Sequence, residues 1–285
     1  MKKLLAMVMV CTMSAALLAG CGAAKETAEA PATETADTTE DVAEDTVSEE
    51  TAEDTATDTT TAEDTLIVGT NAAFPPFEYV GDDGNPDGFD VALIKAIGEK
   101  IGMNVEVQDM EFASLVSSIG SKIDLAIAGM TVTDERKEMV DFSDPYYTAV
   151  QYVLIPKDST ISSAEDLKGK NIGVQLGTTG DFIAADIEGA NVSQYDKAVD
   201  AVNDMNNGRT DCVIIDKNPA LVFQEKFADT VVALDGAQFA FEPEDYAIAM
   251  PKGDTELADK VNTALAELKE DGTFDALVKE YIEEN

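Results

Sequence analysis

Apolar residues are distributed so unevenly along the chain that it divides near position 65. Beyond that point short apolar runs alternate with stretches in which apolar residues recur every three or four positions, the pattern of parallel α/β construction. Strands are expected over 66–70, 105–108, 123–128, 152–155, 172–174 and 212–215, with a returning strand near 246–250. Val91, Ile94, Ile97 and Ile101 fall near one face of a helix over 91–101, and helices are also expected over 112–120 and 197–206. A Gly/Asp/Asn/Pro cluster over 81–88 marks a hairpin turn, and Ser163 is placed to cap a short helix to Lys168. Gly120-Ser121-Lys122-Ile123-Asp124 and Gly208-Arg209-Thr210-Asp211 each precede an apolar run, an echo that predicts two lobes of similar plan. Leu265, Leu268, Leu277, Val278 and Tyr281 are packing positions of helices that close the chain.

Before position 65 the pattern is different. Residues 1–20 open with Lys2 and Lys3, continue through an apolar run too short to span a bilayer, and end Leu18-Ala19-Gly20 before Cys21. This resembles a bacterial lipoprotein signal with its lipobox, which implies export and lipid attachment at Cys21. Residues 22–65 are mostly Thr, Ala, Glu and Asp, with one Lys and no aromatic side chain, and cannot bury enough apolar surface to offset their chain entropy. They are expected to form a disordered acidic tether, the alternative being an acidic tail that binds a partner.

Charge and composition then remove several chemistries. A formal charge of -38 disfavours nucleic acid and anionic membrane surfaces as partners. The chain contains no histidine, so Ser-His-Asp, Cys-His and His-ligated metal sites are excluded together. Cys11 leaves with the signal and Cys21 carries lipid, so Cys212, inside an apolar run, is expected to be a buried structural thiol.

The densest candidate chemistry lies over 124–136, where a strand empties into a small-residue turn and a helix start. Thr133 can cap that helix, with Asp134 and Glu135 in its first turn. Ala128 and Gly129 leave backbone accessible to a ligand, Thr131 offers an N–H and a hydroxyl, and Arg136 offers a planar fork that matches a carboxylate. Such a set can hold the acid end of a zwitterion; the alternative for Arg136 is a solvated surface charge. Thr178, Thr179 and Gly180 open a second helix, whose N–H groups suit an anion. Asp216 ends a strand, either as a ligand acceptor or as a helix cap for Asn218-Pro219.

The segments 66–78, Gly88-Phe89-Asp90, 124–136, 141–147, Asp166-Leu167-Lys168-Gly169-Lys170, 175–179 and Asp271-Gly272-Thr273 together resemble the polar amino acid binding proteins of bacterial ABC importers, extracellular solute-binding family 3. The resemblance covers 66–285. It implies a two-lobed α/β fold of the type II periplasmic-binding-protein kind with two hinge strands, lobe 1 formed by 66–149 and 246–285 and lobe 2 by 150–245. It also implies a ligand-binding set. Arg136 pairs with an α-carboxylate, aided by Thr131 and Thr179; Asp216 and the Gly129 carbonyl accept from an α-ammonium; Phe74 and Phe112 sandwich the ligand body; Asn71, Ala128, Gln175 and Thr178 complete the lining. Asn71 stands where relatives that take cationic side chains often carry Asp, and Gln175 where some glutamine binders carry Lys. A neutral polar or sulfur-containing amino acid is therefore the expected ligand. No cofactor, metal or catalytic residue is implied. The expected protein is a monomer on the extracytoplasmic face, held to the membrane by lipid only, with an importer permease as its partner. The alternatives are an enzyme on the same fold, similar to cyclic-acid dehydratases and short of carboxylates beyond Asp216 and Glu78, or a ligand-sensing module for a signalling partner.

Overall fold

A computed structural model describes residues 65–283. The signal peptide, Cys21 and the tether expected before Thr65 lie outside the described residues.

The first apolar run forms β1 (Thr65–Thr70), followed by a small sheet of β2 (Ala73–Phe74), β3 (Glu78–Val80) and β4 (Pro86–Asp87). Helix α1 (Phe89–Ile101) buries Val91, Ile94 and Ile97 as the periodicity predicts, and Gly102 stops it in the left-handed conformation that favours glycine. Then come β5 (Asn104–Asp109), α2 (Phe112–Ser118), β6 (Leu125–Ala126), α3 (Asp134–Met139) and β7 (Val140–Phe142). The long β8 (Tyr147–Pro156) leads into β9 (Asn171–Gln175), α4 (Thr179–Asp186), β10 (Asn191–Tyr195), α5 (Ala198–Asn206), β11 (Cys212–Asp216), α6 (Lys217–Lys226) and β12 (Val231–Leu234). Antiparallel to β8, β13 (Pro243–Tyr246) returns the chain to β14 (Ala249–Pro251), and α7 (Thr255–Glu270) and α8 (Thr273–Leu277) follow.

Two sheets of matching order result, β5-β1-β6-β14-β7 and β10-β9-β11-β8-β12. In each, the first three strands are parallel and the fourth runs against them. The sequence echo has a structural cause. Asp124 Oδ2 accepts from the Ile67 N–H at 2.7 Å and Asp211 Oδ2 from the Asn171 N–H at 2.8 Å, so each aspartate ties the start of its lobe's third strand to the start of the first. The two sheets centre two lobes, and β8 and β13 cross between them. The expected lobe boundaries, 149/150 and 245/246, fall inside those crossing strands.

Four local expectations need correction. The single strand expected near 246–250 is split, β13 ending at Tyr246 and β14 starting at Ala249, because the chain passes there from its pairing with β8 to the sheet of β6 and β7. The strand expected over 123–128 keeps sheet pairing only at Leu125–Ala126, because the chain turns out of the sheet through Gly129, whose φ is 51°. The helix expected to reach 120 ends at Ser118. Ser163 precedes a 3-10 turn, Ala164–Leu167, but makes no cap bond to it; its hydroxyl donates instead to Asp166 Oδ2 at 2.8 Å. Cys212 is fully buried as expected, and burial pushes its thiol up to about 12, which keeps it an unreactive core group.

Candidate functional site

The C-terminal ends of β1, β6, β9 and β11 face one another across the gap between the lobes, where open α/β sheets place ligands. Around a narrow cleft, its free volume about 10 Å³, stand Asn71, Phe74, Phe112, Ala128, Gly129, Thr131 and Arg136 from the first lobe, and Gln175, Thr178, Thr179 and Asp216 from the second. The structure thus brings together every ligand-contact position named from the sequence. Glu78 joins them.

Arg136 is a buried cation. Its own N–H is accepted by the Thr133 hydroxyl that caps α3 at 3.2 Å, which plants the side chain in the first turn. Nη1 donates to the Thr131 carbonyl at 2.5 Å and Nη2 to the Gly177 carbonyl of the other lobe at 2.9 Å. The guanidinium carbon lies 5.2 Å from the Phe112 ring centroid. Burial lowers its pKa to about 10, opposed by the charges of Glu244 and Asp216, so it stays charged at neutral pH. The solvated-surface alternative is excluded, and the fork retains further N–H groups for an incoming carboxylate. The left-handed Gly129 sets the approach: its N–H donates to Asp90 Oδ2 at 2.7 Å, and a Cβ there would stand 3.1 Å from Phe74.

The second lobe supplies opposite chemistry. Thr178 caps α4 by accepting from the Asp181 N–H at 3.3 Å, and so aims the helix N-terminus at the cleft. Asp216 closes β11 at the cap position of α6 yet makes no side-chain cap bond; Tyr246 and Gln151 face its carboxyl, and its buried Oδ1 lacks a well-formed hydrogen bond. Burial first, then the charge of Glu244, pushes its pKa up to about 7. The helix-cap alternative therefore fails for the side chain.

Two buried amides join the lobes. Asn71 Nδ2 donates to the Met110 carbonyl at 2.7 Å, which turns its Oδ1 toward Gln175; Gln175 Nε2 donates to that Oδ1 at 2.9 Å and to the Asp196 carbonyl at 3.2 Å. The backbone carbonyls fix both amide orientations. Both amide protons of Gln175 are then engaged, and its Oε1 is left as an acceptor.

Sequence reasoning named Glu78 only as a carboxyl available to an enzyme. In the structure it is fully buried against Asp90, and neither of its oxygens makes a well-formed hydrogen bond. Burial, reinforced by the charge of Asp90, holds its pKa well above the carboxylate range, while Asp90 itself is raised by burial to about 6. No local sequence signal marks it, because Glu78 opens a strand of three residues in which buried and exposed positions do not alternate.

Residues 66–284 match the bacterial extracellular solute-binding proteins, family 3. The arginine-binding extracellular protein ArtP of Bacillus subtilis (strain 168) is 41% identical over 220 residues, 76% of this chain and 85% of that protein. The L-cystine-binding protein TcyJ of Escherichia coli (strain K12) is 35% identical over 221 residues, 76% of this chain and 82% of that one. Among solved structures, an ancestral arginine-binding protein bound to arginine is similar with a TM-score of 0.73 at 41% identity, covering 77% of this chain and 98% of that one. The substrate-binding protein of an amino acid ABC transporter gives 0.72 at 36% identity, over 77% and 100%. These relatives are named as binding proteins, one of them of an ABC transporter, and none as an enzyme. The chain belongs to the bacterial extracellular solute-binding proteins, family 3, as a two-lobed, non-catalytic receptor of the periplasmic-binding-protein fold.

Proposed function

We propose that this chain captures one free amino acid between its lobes outside the cytoplasm and delivers it to the permease of an ABC importer. One observation carries the reading: a buried guanidinium from one lobe and a buried carboxyl from the other, without a cationic partner, line the same cleft. Arg136, with the N–H groups of Thr131 and Thr179, takes the α-carboxylate; Asp216, with the Gly129 carbonyl, takes the α-ammonium. Phe74 and Phe112 hold the aliphatic body between them. The ligand first meets Arg136 and the aromatic pair, and closure about β8 and β13 brings Thr179 and Asp216 onto it, a population shift driven by contacts that need both lobes. In this reading 66–149 with 246–285 form one lobe and 150–245 the other. The receptor is a monomer, tethered by lipid at Cys21.

The side-chain wall selects a hydrogen-bond donor. Gln175 Oε1 is an acceptor, the Glu78 carboxyl becomes one when a cationic side chain beside it favours its ionised form, and a guanidinium offers the most donors to meet them. Glu78 thus supplies the carboxyl that position 71 lacks, and the arginine named for ArtP and for the ancestral protein is the ligand we favour. A second reading, a neutral polar or sulfur-containing amino acid, draws on the uncharged Asn71–Gln175 pair and on a Glu78 that burial keeps protonated. It is in keeping with the cystine named for TcyJ and with an ancestral arginine-binding protein solved with glutamine, 41% identical to this chain. Titration calorimetry with L-arginine, L-glutamine and L-cystine separates them. Arginine should bind tightest; tighter binding of either neutral ligand selects the second reading, and no binding of any amino acid overturns the proposal.

A further inference from the structure

Glu244 lies on β13, half-buried, where no sequence motif marks it. Its Oε2 accepts from the Thr131 hydroxyl of the first lobe at 2.7 Å and from the Thr179 hydroxyl of the second at 2.6 Å. Thr179 Oγ1 in turn accepts from Gln151 Nε2 at 3.1 Å, so its single proton is committed to Glu244. Gln151 stands on β8, and both crossing strands therefore take part in holding this hydroxyl.

We propose that Glu244 is a positioning residue that latches the lobes together through Thr131 and Thr179 and so sets the lifetime of the closed cleft. A hydroxyl has one proton to give, and the two on this carboxylate come from opposite lobes. The pair of bonds can exist only when the lobes meet, and because the carboxylate is charged each is stronger than a neutral bond. Closure is then partly intrinsic. The ligand adds to a closed population that exists before it arrives. The latch also divides labour at the carboxylate end: with both hydroxyl protons turned to Glu244, Arg136 and backbone N–H groups are what an α-carboxylate meets. That last consequence, and the kinetic test below, rest on the amino acid reading; the latch itself does not.

The first test needs no ligand. Spin labels on Glu99→Cys and Asp186→Cys, both exposed and one in each lobe, report the interlobe distance in a full chain with Cys11→Ala and Cys21→Ala; the buried Cys212 stays unlabelled. Ligand-free protein should show a closed population that Glu244→Ala removes and Glu244→Gln largely keeps, since an amide oxygen still accepts from both hydroxyls. Thr179→Val should reproduce the loss and guards against a folding defect in the first variant. An unchanged distance distribution in Glu244→Ala, or no closed population in the parent, overturns the latch. In the second test, stopped-flow mixing with L-arginine should show Glu244→Ala dissociating about tenfold faster with its association rate within about twofold. An unchanged dissociation rate also overturns it. Failure of L-arginine to bind any variant strikes the ligand reading and leaves the distance measurement to decide the latch.

Discussion

The two lobes share a strand order and put their chemistry at equivalent strand ends, yet one end is satisfied and the other is not. Arg136 follows β6, the third strand of its lobe, and already donates to two carbonyls. Asp216 ends β11, the third strand of the other, and its buried Oδ1 lacks a well-formed hydrogen bond. The fold thus supplies position and the residue at the strand end supplies charge. The contrast assigns different energetic roles: the cation helps hold the protein together, whereas the carboxyl costs stability until a ligand ammonium meets it.

Substitutions at these ends should separate the roles. Arg136→Ala should abolish measurable binding and also lower the melting temperature of the ligand-free protein, since two carbonyls, one in each lobe, lose a charged donor. Asp216→Ala should weaken binding by about 3 kcal/mol while raising the ligand-free melting temperature, as a carboxyl whose burial outweighs its contacts with Tyr246 and Gln151 is removed. Calorimetry and thermal scans on both variants check this; a drop in melting temperature for Asp216→Ala would erase the contrast.

Acidity gives the next effect. Asp216 sits at about 7 in the fold against an ordinary aspartate value of 3.8, so between those values the folded protein binds a proton that the unfolded chain does not. That contribution favours the ligand-free fold at low pH and is lost as pH rises through about 7. Ligand binding has the opposite slope because it needs the carboxylate. Affinity should fall by about tenfold per pH unit below 7, with proton release on binding visible in buffers of different ionisation enthalpy. A pH-independent affinity between 5 and 8 would contradict the assignment. Glu78→Gln should cost L-arginine about tenfold in affinity and leave L-glutamine within about twofold, measured by calorimetry. Gly129→Ala should have the smallest effect, about 1 kcal/mol in binding, because a left-handed residue gains a Cβ beside Phe74.

Most of the fold was legible because its signals are local. Period and length distinguish α1 from β1, and the Asp124 and Asp211 echo marked a repeat whose hydrogen bonds the structure then explains. The turn at Gly129 was legible as small residues but not as the end of sheet pairing, since the apolar run continues past it. Site positions from Asn71 to Asp216 lie on strand ends and helix starts, where sequence and geometry coincide. The two carboxyls that were missed lie elsewhere. Glu78 is in a three-residue strand too short to display an alternation, and Glu244 is within Glu242-Pro243-Glu244-Asp245, a charge run that resembles a solvated face. Glu78 faces Asp90 across a turn and a helix start, and the hydroxyls that donate to Glu244, from Thr131 and Thr179, come from far along the chain.

The central claim is that Arg136 and Asp216 hold opposite ends of one ligand, and a cycle of ligand against mutation tests it most directly. Calorimetry on wild type and Asp216→Asn would use L-arginine, agmatine, which lacks the α-carboxylate, and Nα-acetyl-L-arginine, which lacks the α-ammonium. Both derivatives should bind wild type far more weakly than arginine. In Asp216→Asn the penalty for acetylation should shrink while the penalty for losing the carboxylate persists. Equal penalties in the two proteins would contradict the assignment of Asp216 to the ammonium.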